Sequence, residues 1–226
     1  MLENAREARE RASIVKAANR LVNETAAEPL IAAAEQGEMS TAVATGRLEL
    51  VPAVGLMGHI YDSTLADALE TAGHRAVALA VRKLVALGFN VAATVQEAEE
   101  SAGGDAVPKR KVSIEGLRLG FGTAEEIDPQ RLAIPLLLGT VLPPAHHWRR
   151  RAAAVQTVRK VEQNVLAQIA LEIERGGSRC RLDARRFVDG GLHGELAERL
   201  IAALRTRGFD AEVTAGGTQL NVRWEA

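Results

Sequence analysis

A repeated order of predicted elements constrains the fold of this chain most strongly. Residues 87–95 read Leu-Gly-Phe-Asn-Val-Ala-Ala-Thr-Val, and residues 207–215 read Arg-Gly-Phe-Asp-Ala-Glu-Val-Thr-Ala. At both places an amphipathic helical pattern ends at a glycine, a strand pattern follows, and a second strand pattern comes after a turn. A helix, a glycine and a strand pattern also precede each stretch. The sequence therefore predicts two tandem copies of one α-β-α-β-β unit.

The predicted fold class is α+β, in which each unit forms a small three-stranded mixed sheet with helices on one face. A right-handed crossover makes the strands on either side of a helix parallel if they are neighbours. A tight glycine turn makes the last two strands antiparallel. We expect the first unit to occupy residues 1–119, with an apolar insertion at 51–62, and the second unit to occupy residues 151–226.

Residues 120–150 are predicted to form an apolar linker or arm between the units. A solvated tether would be rich in glycine, serine and charged residues, whereas this segment contains Ile-Pro-Leu-Leu-Leu at 134–138. A connection of this length without a repeat is uncommon and usually functional. We therefore expect the linker to pack, either on its own two units or on another subunit.

Composition narrows the classes of function. The 226-residue chain carries 28 basic and 29 acidic side chains, so no global field attracts nucleic acid or an anionic membrane surface. A single cysteine, Cys180, argues against an internal disulfide or a cysteine-based metal cluster. No apolar run reaches the length of about 18 residues that a membrane-spanning helix needs. Nucleic-acid and membrane partners are therefore not expected.

The polar motifs favour structural roles over catalytic ones. Residues 146–151, His-His-Trp-Arg-Arg-Arg, lack a nearby carboxylate or thiolate, so a basic helix start or a subunit contact is favoured over a metal site. Three arginines at a helix start oppose the helix dipole and are expected to need a carboxylate or phosphate partner. Gly120 and Gly122 lack the third glycine of a dinucleotide loop. No catalytic residue, metal, cofactor or small-molecule substrate is predicted.

Partner contacts are expected in the insertion, the linker and the following helix start. Large apolar residues in such segments, and arginines beside them, are typical interface anchors. The predicted contact residues are Met57, Tyr61, Phe121, Leu136, Leu137, Leu138, Trp148, Arg149 and Arg150.

The order of elements also resembles a known module. A helix that ends in glycine, a strand, a second helix that ends Leu-Gly-Phe or Arg-Gly-Phe, and a hairpin that closes on Val222-Arg223-Trp224 are similar to a small α-β-α-β-β module of structural proteins in tailed-bacteriophage particles. The first unit departs from it by its insertion and by lacking the closing tryptophan. The resemblance implies a non-enzymatic virion component of the capsid, neck, tail or baseplate, assembled in the host cytoplasm as a homo-oligomer or with other structural subunits.

Two alternatives belong to other functional classes. An enzyme with a cleft between the units would use His59, His74 or His193 with nearby carboxylates. A regulatory or nucleic-acid-binding module would use the arginines near Arg149 and Arg181, with affinity that falls steeply as salt rises.

Overall fold

The computed structural model describes residues 5–51, 58–99, 110–124 and 134–224 of the chain. The chain divides into two compact units, Met1–Ala152 and Ala153–Ala226. Both combine helices with antiparallel sheets, so the α+β class is confirmed. The division falls inside one long helix, which belongs in part to each unit.

The first unit begins with helices and continues through a sheet that is interrupted by two more helices. Its helices are α1 (Ala5–Arg20), a π-helical turn (Leu21–Thr25), α2 (Ala27–Glu35), α3 (Asp62–Thr71), α4 (Arg75–Ala86), the one-turn α5 (Ile134–Leu137) and the start of α6 (Ala145–Glu174). Its strands are β1 (Ser40–Leu50), β2 (His59–Tyr61), β3 (Asn90–Thr94), β4 (Gln96–Glu99) and β5 (Arg110–Gly120).

Within the described residues of the first unit, five strands form one antiparallel sheet in the order β1-β5-β3-β2, and β4 pairs with β5. The predicted three-stranded mixed sheet is therefore wrong for this unit. The physical reason is that β5 lies between β1 and β3, so the two strands that flank the helices are not neighbours and form no parallel pair. The strand β1 carries a bulge between Ala44 and Leu48, which bends this edge of the sheet.

The second unit contains a smaller sheet with the same kind of pairing. After α6 come β6 (Arg179–Asp183), a 3₁₀ turn (Ala184–Arg186), α7 (Gly194–Thr206), β7 (Asp210–Thr214) and β8 (Gln219–Arg223). The strand order is β6-β8-β7, and both pairs are antiparallel. The number of strands is as predicted, but the mixed pairing is again wrong because β8 separates β6 from β7.

Glycines end the helices that lead into β3 and β7. Gly88 after α4 and Gly208 after α7 have φ of 84° and 87°, a conformation that glycine adopts without the strain imposed by a Cβ atom. The amide of the next residue donates to the carbonyl of Leu84 in the first unit and of Leu204 in the second, at 3.1 Å in both. This capping pattern satisfies a helix-end carbonyl and turns the chain directly into a strand.

A pair of aromatic rings closes each core. Phe89, after α4, meets Phe121, after β5, edge to face with ring centroids 6.4 Å apart. Phe209, after α7, meets Trp224, after β8, in the same way at 6.3 Å. Such edge-to-face pairs add about 0.5–1.5 kcal/mol beyond the apolar area that they bury. Four of the seven phenylalanine, tryptophan and tyrosine residues of the chain thus lie where helix, strand and closing strand meet.

Candidate functional site: two interaction surfaces

The described end of the predicted linker is held on the first unit by side chains of its first helices. Asn23, in the π-helical turn, donates from Nδ2 to the Gly139 carbonyl at 2.8 Å and accepts at Oδ1 from the Val141 amide at 3.0 Å. One side-chain amide therefore pairs with both polar groups of an extended backbone segment. The segment 138–141 is thus fixed through its backbone, which leaves the side chains of Leu138 and Val141 free to face elsewhere.

Lys83 supports the same segment from inside the unit. It lies on α4 and is only 2% exposed. Its Nζ donates to Asn19 Oδ1 at 2.6 Å, to the Leu138 carbonyl at 2.9 Å and to Thr140 Oγ1 at 3.2 Å. All three acceptors are neutral oxygens, and burial lowers the pKa of the Lys83 ammonium. The unit therefore tolerates a costly buried amine in order to position this segment.

The segment presents two large apolar side chains to solvent. Leu138 is 63% exposed and Val141 is 79% exposed, although their backbone is hydrogen-bonded to buried or half-buried groups. The preceding Leu136 and Leu137 are half-buried. We call Leu138 and Val141 the linker ridge. Side chains of Lys83 and Asn23 fix the backbone beneath it, although it lies outside a helix or strand.

Two of the predicted contact residues lie instead in the core of the first unit. Phe121 is fully buried against Phe89, and Trp148 is buried with its Nε1 donating to the Pro143 carbonyl at 3.1 Å. They offer no exposed surface to a partner, so their assignment as contacts is corrected. Both side chains come from the predicted linker or its end, which therefore packs on the first unit through them.

The arginines at the start of α6 find partners within the first unit. Arg149 donates from Nη1 to the Ala124 carbonyl at 2.8 Å, and Arg151 pairs with Glu35 at 2.6 Å. Arg150 is exposed. Positive side chains are unfavourable at the N-terminal end of a helix, where the dipole is also positive. A carbonyl and a carboxylate of the same unit stabilise Arg149 and Arg151 there, in place of a phosphate.

Of the two contact residues predicted in the insertion, Met57 lies outside the described residues. Tyr61, at the end of β2, is 55% exposed, and its ring lies 6.3 Å from that of His59. Both line a groove of about 760 Å³ on the first sheet. The sequence pointed to Tyr61 as an isolated anchor, whereas the structure places it at the side of a larger surface.

The groove follows the face of the first sheet that the helices leave open. Residues opposite one another in the register share a face of the sheet, and the buried row includes Val43 and Leu117. The open rows are Ser40, Gly120 and Asn90, then Ala42, Arg118 and Ala92, then Ala44 and Gly116. This face is therefore built from small side chains around a single arginine.

The matching face of the second sheet has a different chemistry. Its rows are Arg179, Arg223 and Asp210, then Arg181, Asn221 and Glu212, then Asp183, Gln219 and Thr214. Part of its charge is compensated locally, because Glu212 lies 3.6 Å from Arg223 and accepts from Asn221 Nδ2 at 3.2 Å. The second face is thus a charged surface suited to water, in contrast to the first.

The three histidines of the enzyme alternative contact neutral oxygens. A ring nitrogen of His59 lies 3.2 Å from Thr94 Oγ1, one of His74 lies 2.7 Å from the Glu49 carbonyl, and one of His193 lies 2.9 Å from the Gly190 carbonyl. A catalytic base is commonly oriented by a carboxylate. These contacts instead tie each imidazole to its own sheet or turn.

The remaining candidates are a reactive cysteine, a metal site and a membrane-spanning helix. Cys180 is buried, and burial together with the charge of Glu172 raises the pKa of its thiol, which disfavours the reactive thiolate. Within the described ranges, no group of three or more His, Cys, Asp or Glu side chains is arranged to hold a metal ion. In the same part of the chain, no helix combines the length and the hydropathy needed to cross a membrane.

Comparison with known proteins gives no relative. No family model, no curated protein and no solved structure matches the chain.

Proposed function

We propose that this protein is a non-enzymatic assembly component that contacts other subunits through its linker ridge. The observation that carries the proposal is the exposure of Leu138 and Val141 on a backbone held by Lys83, Asn19 and Asn23. Ordering a loop costs conformational entropy. One buried amine and two asparagines hold this loop in place. We expect such an arrangement where the position of the loop's side chains matters.

We further propose that the two units are tandem copies of one α-β-α-β-β module. The strand orders β1-β5-β3 and β6-β8-β7 correspond, and each closing aromatic pairs edge to face with the phenylalanine after a helix. The backbone agrees as well, since the Phe121 amide donates to the Met39 carbonyl at 3.0 Å and the Trp224 amide to the Ser178 carbonyl at 3.1 Å. In this correspondence Phe121 takes the place of the closing tryptophan.

The resemblance to modules of tailed-bacteriophage particles gives the proposal its setting. We place the protein in a virion, as a part of the capsid, neck, tail or baseplate, assembled in the host cytoplasm. In support, the histidines available for catalysis are tied to neutral oxygens. The polar face of the second sheet suits a solvated subunit surface, and the linker ridge supplies the apolar contact.

The experiment is a double substitution, Leu138→Asp with Val141→Asp. Burying such a side chain in a contact contributes about 1.5–3 kcal/mol, so we expect the variant to bind its partner subunit at least about 100-fold more weakly. Particles purified from a host that expresses the tagged variant should lack it, whereas particles from a host that expresses the tagged wild type contain it.

The matched control is Leu171→Asp with Ile173→Asp, which changes two exposed apolar residues of α6. This control should enter particles as the wild type does. Equal incorporation of the ridge variant, or absence of the wild-type chain from purified particles, would refute the proposed function.

A further inference from the structure

The groove on the first sheet carries charges that form no ion pair with the described residues of its own unit. Arg118 is exposed on β5, and its Nη2 donates to Ser40 Oγ at 3.3 Å. Glu38 and Glu115 are exposed and line the same groove. Among the residues that the structure describes, none of these three side chains takes part in an ion pair.

On the open face of the second sheet, Glu212 lies beside Arg223, and Asp183 pairs with Arg185 at 3.0 Å. Part of the charge of the second face is therefore paired locally. The first face holds one cation and two anions apart from one another, which suits a surface that is completed by a partner.

We propose that the groove is a self-association surface, on which the open face of one copy packs against the same face of a second copy. A twofold axis brings one patch against itself, so residues of opposite charge on that patch meet across the axis. Arg118 of each copy then faces the carboxylates of Glu38 and Glu115 of the other. The unpaired charges in the groove of one copy are therefore complementary to those in the groove of the second copy.

The same charges disfavour partners whose surface carries charge of a single sign. A nucleic acid or an anionic lipid surface would pair with Arg118 but would meet the repulsion of Glu38 and Glu115. A strongly basic protein would meet the opposite conflict. A second copy of this chain supplies charges of both signs.

The shape of the groove permits close packing. Packed sheets lie about 10 Å apart, so one long side chain reaches across only where its neighbours are short. The positions beside Arg118 in the register are Ala42 and Ala92, and Gly116 and Gly120 lie two residues away on the same strand. Tyr61, exposed at the groove, supplies an apolar anchor of the kind that dominates binding energy at interfaces.

The test is a charge exchange followed by sedimentation velocity on the full chain. Arg118→Glu places three carboxylates in the groove, and the double variant Glu38→Arg with Glu115→Arg places three cations there. Like charges across an interface are costly, so we expect each variant alone to dimerise at least about 100-fold more weakly than the wild type. An equimolar mixture of the two variants should recover a dimer, because opposite charges again meet.

Recovery in the mixture separates lost contacts from lost folding, because a misfolded chain would not regain a partner. Arg179→Glu, which changes an exposed arginine on the second sheet, is the matched control and should dimerise as the wild type does. The inference is overturned by a monomeric wild type, by an Arg118→Glu variant that dimerises normally, or by a mixture that stays monomeric. The substitution of the linker ridge should leave this dimer intact, so this inference and the proposed function fail separately.

Discussion

Replacing Lys83 with Met tests how the first unit holds the linker ridge. Methionine keeps an unbranched stem in the buried position but removes the ammonium, which donates to Asn19, Leu138 and Thr140. Each lost hydrogen bond is worth about 0.5–1.5 kcal/mol net, or about 3 kcal/mol for the three together. Removing the buried charge also removes its desolvation cost, which offsets part of this loss. We expect the variant to be less stable by about 2 kcal/mol at neutral pH.

The pH dependence of this difference is the more specific result. Burial lowers the pKa of Lys83 in the folded chain below its ordinary value of 10.5. At a pH below the lowered pKa, both states bind the proton and the folded state carries the full cost of the buried charge. Between the lowered pKa and the ordinary value the unfolded state binds more protons, so stability rises with pH, by at most about 1.4 kcal/mol per pH unit. The gap between wild type and variant should therefore widen through this window and stay constant above it.

Urea unfolding followed by tryptophan fluorescence measures this gap. A Trp224→Phe background leaves Trp148, in the first unit, as the single tryptophan, so the signal reports the unit that contains Lys83. Lys160→Met, which changes an exposed lysine on α6, controls for the loss of a positive charge. A gap that is constant or narrows as pH rises through the window would refute this description of Lys83.

Two further predictions concern the helix ends and the cysteine. Gly88→Ala and Gly208→Ala should each destabilise their own unit by about 1–2 kcal/mol in urea unfolding, because alanine is strained at their positive φ. Gly120→Ala, whose added Cβ meets nothing closer than 3.6 Å, should cost much less, and equal losses at the three sites would contradict the capping role. Cys180 should react with a thiol reagent much more slowly in the native chain than in urea, because burial and Glu172 raise its pKa, and equal rates would show that the thiol is accessible.

The local elements were the most predictable part of the fold. The helix, glycine and strand pattern that precedes residues 87–95 corresponds to α2, Gly37 and β1 at Ser40–Leu50, because alternation and a preceding glycine are local signals. A proline usually ends or kinks a helix. In the first unit the π-helical turn interrupts the helical stretch before Pro29, and Pro29 lies in the first turn of α2, where a proline costs little.

The sheet order and the roles of two residues were not predicted. Pairing of β5 between β1 and β3 is a long-range choice that no local pattern records. Phe121 was assigned to a linker. The predicted repeat could have indicated its role, because Phe121 follows β5 as Trp224 follows β8. Lys83 was missed because a lysine is usually exposed. Its spacing with Ala80, Leu84 and Leu87 nevertheless places it on the buried stripe of α4.

The candidate surfaces were predictable only in part. Leu138 was expected to contact partners because of its place in an apolar linker, and the structure leaves it exposed. The groove was not anticipated, since the side chains around Arg118 come together only through the register of three strands. Residues far apart in sequence carry no shared pattern that would reveal such a surface.

The native mass of the purified wild-type chain tests most directly the claim that this protein associates with a second copy of itself. Native mass spectrometry at micromolar concentration should show a species of at least twice the 24.1 kDa chain mass. A single 24.1 kDa species at every concentration would contradict it.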